Sequence, residues 1–69
     1  MKVRYDVARL IEGSSTRFED LKAAFTLAKE MAKYYDEEVA LIKLVWDDTN
    51  RIIEQETVLV SASGKFRYI

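Results

Sequence analysis

The sequence predicts an α+β domain: a single helix packed on one face of a small, largely antiparallel sheet of three to four strands, in the order β-α-β-β-β. Three observations carry the prediction. Apolar residues recur at helical spacing from Phe18 to Tyr35, Val39–Trp46 is apolar at nearly every position, and Arg51–Ser61 is rich in Ile, Val and Thr behind a turn cluster. Sixty-nine residues make one domain, 1–69, near the lower size at which a chain folds without staples. With no cysteine to supply a disulfide, the fold rests on its apolar side chains, 49% of the composition, or on oligomerisation.

Lys2–Ile11 alternates Val3, Tyr5, Val7 and Ile11 with Arg4, Asp6 and Ala8, a half-buried strand pattern broken by Arg9. Gly13-Ser14-Ser15 ends it. Thr16 and Glu19 have capping-box spacing for a helix whose apolar stripe is Phe18, Leu21, Phe25, Ala28, Ala32 and Tyr35. A start that leaves Phe18 just outside the helix fits equally well. The helix ends near Tyr35-Asp36-Glu37, and the link from the first strand to the next allows a parallel pair with a right-handed crossover.

Val39–Trp46 reads as a central strand covered on both faces. Asp47-Asp48-Thr49-Asn50 is a turn, and Arg51–Ser61 returns. Closing this hairpin symmetrically places Leu44 opposite Ile53, Val45 opposite Ile52, and Lys43 opposite Glu54. Because the Lys43–Glu54 charges are expensive to bury, the Ala40, Ile42, Leu44, Trp46 face is expected to meet the helix. A two-residue turn at Ser63-Gly64 then pairs Leu59 with Tyr68 and Ser61 with Phe66, both aromatics on the helix side, in a last strand Phe66–Ile69. The outer face would mix Val39, Leu41, Val45, Ile52, Val58 and Val60 with Lys43, Glu54, Glu56 and Arg67.

The residues bearing chemistry are few. Histidine and cysteine are absent, which removes the commonest general base and the strongest nucleophile. Ser14, Ser15, Ser61 and Ser63 sit where turns and caps use serine. The pairs Asp47/Asp48 and Glu54/Glu56 are hard-cation donors in principle, but the first lacks a longer ligand pattern and reads as a hairpin turn. Gly13-Ser14-Ser15 before a helix has the look of a phosphate-cradling turn, with capping as the simpler explanation. No catalytic residue, metal ligand or cofactor is assigned, so the chain reads as a non-enzyme.

No apolar run reaches the roughly 18 residues that span a bilayer, and the N-terminal residues lack a signal-peptide core, which makes a cytoplasmic protein the expectation. The formal net charge of −1 is unevenly spread. Lys2, Arg4, Arg9 and Arg17 outnumber Asp6 and Glu12 in the first 17 residues, and Lys65 and Arg67 leave the last nine basic; between them, ten acidic side chains face five basic ones.

These features point to a small protein-interaction or regulatory module. Its expected contact surface is the outer sheet face centred on Leu41, Val45, Ile52 and Val58, through which the chain would form a homodimer or meet another protein. On that reading Leu41→Glu gives a folded monomer. The plainer alternative is an ordinary mixed face whose charges guard scattered valines. The alternative function is weak nucleic-acid binding through Arg4, Arg9, Lys65 and Arg67 beside Tyr5, Trp46, Phe66 and Tyr68.

Overall fold

The computed structural model describes residues 1–11 and 15–69. Five strands, β1 (Lys2–Arg9), β2 (Ser15–Phe18), β3 (Val39–Trp46), β4 (Ile52–Val60) and β5 (Phe66–Tyr68), form one sheet in the order β2-β1-β3-β4-β5. Every neighbouring pair is antiparallel. Helix α1 (Leu21–Tyr35) lies on one face. The fold is therefore α+β with one helix, as the sequence indicates, but with one strand more than expected.

The added strand is β2, in the stretch read as a helix start. Thr16 stands opposite Val7 and Phe18 opposite Tyr5. Thr16 and Phe18 are β-formers that can pair with β1, and that pairing takes them out of the Thr16–Glu19 capping box. Asp20 caps the helix instead, its carboxylate accepting from the amides of Lys22 and Ala23. At the other end Asp36 adopts a left-handed conformation, φ 53°, and its N–H reaches back to the Ala32 carbonyl. Because β2 reverses the chain before the helix, β1 and β3 run antiparallel and no parallel crossover exists. The Gly13-Ser14 part of the proposed phosphate turn lies outside the described residues, and Ser15 is in β2.

The core is built from small side chains. Ala24, Ala28 and Ala32, four residues apart, are fully buried and meet Val7, Val39, Leu41 and Val60. Phe25, Leu27 and Met31 from the helix, with Tyr5, Phe18 and Val58 from the sheet, pack around this centre. The buried stripe is thus turned from the one read off the sequence, and Leu21 and Tyr35 fall at its exposed margins.

The helix also lies on the face opposite to the one expected. Ala40, Ile42, Leu44 and Trp46 belong to the open face, whereas Val39, Leu41 and Val58 face α1. The Lys43–Glu54 charges would be costly on the helix face only if the helix covered the whole length of the strands. Fifteen helical residues span only about 22 Å, and β1, β3 and β4 each extend further, about 27 Å or more. The Lys43–Glu54 ion pair, 3.0 Å, lies at the uncovered end with both side chains partly exposed.

Turn chemistry accounts for the remaining register differences. Ser61 and Lys65 close a three-residue loop, not a two-residue one, with Gly64 at φ 86°. Val58 therefore faces Tyr68 and Val60 faces Phe66. Phe66 and Tyr68 still end on the helix side, because the changed register and the changed helix face compensate. In the first hairpin Asn50 takes the left-handed position, φ 64°, and a bulge at Ile53 shifts the ladder. Ile52 consequently pairs with Trp46, not Val45, and Leu41 with Val58. Asp47 holds this turn: its Oδ1 accepts from the Thr49 amide and hydroxyl and from the Arg51 amide. Those bonds, the Thr49 side chain first, keep its carboxyl below the usual range.

Three outcomes follow from this packing. Ala28→Leu forces bulk between helix and sheet and is expected to destabilise by about 1–3 kcal/mol in urea unfolding. Leu41→Glu places a charge under α1, and circular dichroism is expected to show an unfolded or severely destabilised chain, not a folded monomer. Asp47, and Glu38 through its hydrogen bonds from Arg67, both have lowered pKa values. Their stabilisation is present above the ordinary carboxylate pKa and lost as pH falls through the depressed native values. The melting temperature is expected to fall below about pH 4, less steeply in Asp47→Asn.

Candidate partner-binding groove

A single helix about 10 Å across cannot cover five strands spaced about 4.8 Å apart. Its alanine stripe seats it over the centre of the sheet, and the face beside it towards β4 and β5 remains bare. There a groove of about 850 Å³ opens, with Leu41, Val58 and Tyr5 as floor and Leu21 and Phe25 of α1 as one wall. Phe66 and Tyr68 of β5 form the other wall. The size is that of a ligand site, and the lining is predominantly apolar.

The aromatic residues give the groove its shape. Phe25 and Phe66 meet edge to face with ring centres 6.2 Å apart, bridging helix and sheet, and Phe66 continues to Tyr68 at 6.1 Å. The Lys29 stem lies close to Gly64, where a Cβ would approach it to 3.3 Å, so the helix also touches the β4–β5 turn. Phe66 and Tyr68 nonetheless remain 55% and 65% exposed, far above ordinary buried aromatics. Around the mouth stand Asp20, Lys22, Lys43 and Glu56. Lys43 is held by Glu54, whose hydrogen bond and charge raise its pKa. Glu56 makes no ion pair within 4 Å among the described residues.

The four residues expected to form the contact surface are divided by the fold. Leu41 and Val45 are 5% and 6% exposed, and Val58 packs against the core. Ile52, 53% exposed, lies on the opposite face beside Trp46. They do not make one open patch, because the helix occupies their face and the bulge turns Ile52 away from it. Phe66 and Tyr68, expected as core aromatics, stand largely in solvent. The signal for the groove was the width of the sheet relative to one helix.

The basic residues considered for nucleic acid are dispersed. β1 and β5 are separated by β3 and β4. Arg4 forms a double contact with Asp6, 2.9 and 3.0 Å, and lies 4.9 Å from the Trp46 ring. Arg9 donates to Glu37 at 2.6 Å and stacks 3.7 Å over Tyr35, joining the end of β1 to the end of α1. Arg67 grips Glu38 with both arms, and Lys65 stands exposed in the β4–β5 turn. The carboxylates likewise serve the fold: Asp47 organises its turn, and Glu54 pairs with Lys43. No helix of the described residues is long and apolar enough to cross a membrane.

The Arg9 clamp is expected to be structural. Arg9→Ala should lower stability by about 1–3 kcal/mol, and Arg9→Lys should recover only part of it, since lysine keeps the charge but loses the planar stack and fork. Comparison with known proteins adds no relative: no protein-family model, curated protein or solved structure matches the chain.

Proposed function

We propose that the protein is a small, non-enzymatic protein-interaction module, and that its partner docks in the groove between α1 and the β4–β5 strands. The observation that carries this reading is the exposed aromatic wall of Phe66 and Tyr68 over the apolar floor of Leu41 and Val58. Large aromatic side chains standing in water beside a ready-made hollow are the usual anchors of a protein contact. The side chains first expected to dimerise, Leu41 and Val45, are already buried within the chain, so the contact at this site rests on Phe66 and Tyr68 instead.

Panning a random-peptide display library on the immobilised protein tests the proposal. Enriched peptides are expected to shift amide resonances of Leu21, Phe25, Val58 and Tyr68, and their affinity should change little with salt, as apolar contacts dictate. Tyr68→Ser is expected to weaken them at least tenfold while leaving the circular dichroism spectrum intact. Peptides that bind the Arg4–Trp46 face, or retain full affinity for Tyr68→Ser, would overturn it.

A further inference from the structure

The charges of α1 are sorted to one side. Between Leu21 and Tyr35 the ionisable side chains besides the tyrosines are Lys22, Lys29, Glu30 and Lys33. At about 100° per residue, the three lysines fall within about 40° of one another, directly beside Phe25. That flank borders the groove: Lys22 and Thr26 line it with Leu21 and Phe25, and the Lys29 stem lies against Gly64 of the β4–β5 turn. Glu30 lies on the solvent side of this stripe. The other flank of the buried alanines, with Leu27 and Met31, carries no charge.

These lysines are exposed and uncommitted. Among the described residues none of the three lies within 4 Å of a carboxylate. The carboxylates near the groove are engaged with other groups. Asp20 accepts from the amides of the first helical turn, Glu54 holds Lys43, and Glu56 is the cross-strand neighbour of Lys43. The floor of Leu41 and Val58 and the far wall of Phe66 and Tyr68 are uncharged. The groove is therefore apolar below and basic along its helix rim. Lys22 and Lys33 are about 16 Å apart along the helix axis. One small anion does not span that stripe, whereas a segment of polypeptide with several carboxylates does.

We infer that the groove takes an acidic amphipathic segment of a partner protein. Its apolar side chains lie over Leu41 and Val58, between Phe25 and Tyr68, and its Asp and Glu side chains point to Lys22, Lys29 and Lys33. This rests on the docking reading above and specifies the chemistry of the partner. Apolar burial sets the affinity. Charge pairs on an exposed rim add little to it, and act on the choice of partner and on the rate of encounter.

Display selection on two forms of the full chain tests it: the unmutated protein, and a triple variant with Lys22→Gln, Lys29→Gln and Lys33→Gln whose fold is checked by circular dichroism. Peptides that need Tyr68, and so occupy the groove, are expected to carry at least threefold more Asp and Glu than the starting library when selected on the unmutated protein. Those selected on the triple variant should show no such excess. Replacing the acidic residues of a selected peptide by Asn and Gln should weaken it about threefold, and the triple variant should do the same. A control with Arg17→Gln, Arg51→Gln and Lys65→Gln removes equal charge elsewhere and should leave the affinity unchanged. Groove peptides without an acidic excess, or an equal loss in the control, would overturn this proposal and leave the docking reading standing. No groove peptide from either form would overturn both. Tighter binding of a twelve-residue oligothymidylate at the three lysines would assign the stripe to nucleic acid, and self-association lost in the triple variant would assign it to a second copy; either result overturns the proposal.

Discussion

The close seating of α1 on the sheet is the constraint on which the rest depends. Three alanines on one stripe let the helix backbone approach Val7, Val39 and Val60, and these valines are the largest side chains that are fully buried. A core so shallow works by fit: an added methylene has nowhere to go, and a removed one leaves a gap that rigid neighbours do not fill. The same seating centres the helix over the middle strands. It thereby fixes what is left uncovered, the Lys43–Glu54 end and the β4–β5 margin. Structure and candidate site come from one packing decision.

The ion pairs act at the edges of this arrangement. Arg9 fastens β1 to the helix end through Glu37 and Tyr35, Arg67 fastens β5 to the start of β3 through Glu38, and Arg4 spans Asp6 and Trp46 on the open face. Exposed pairs of this kind contribute little individually. The half-buried Arg9 contact differs, because stacking and hydrogen bonding act on one guanidinium. Ala40, Leu44 and Leu59 are buried on the sheet face opposite α1, where Arg4 is the cross-strand neighbour of Leu44 and Arg67 that of Leu59. A face that a pattern of alternation would mark as sticky is thus partly closed by its own residues.

The class of fold was legible because it rests on strong local patterns. Val39–Trp46 has its expected bounds, and the helix ends at Tyr35 as expected. What was not legible depended on single residues or on length. Ser15–Phe18 is too short to announce a strand, and its threonine and serine serve caps equally well. The face of the sheet under α1 followed from the length of the helix against the length of the strands, which periodicity does not report. Gly64 suits both two- and three-residue turns, and one residue of difference reverses a face. The candidate groove was hidden for a related reason: Phe66 and Tyr68 are correctly placed on the helix side, but the helix is too narrow to reach over Tyr68.

The order of strands in space has a consequence for how the chain assembles. β3, β4 and β5 follow one another through tight turns, whereas the β1–β3 ladder joins Lys2 to Trp46 across most of the sequence. Closing that long loop carries the greater entropic cost, so contact order ranks it behind the meander. Until β1 is docked, Val39–Trp46 presents a nearly unbroken apolar edge relieved only by Lys43. Pairing with β1 is therefore also what keeps that strand from associating with other chains. Weakening the first strand threatens solubility along with stability, and a conservative change in β1 has more than packing at stake.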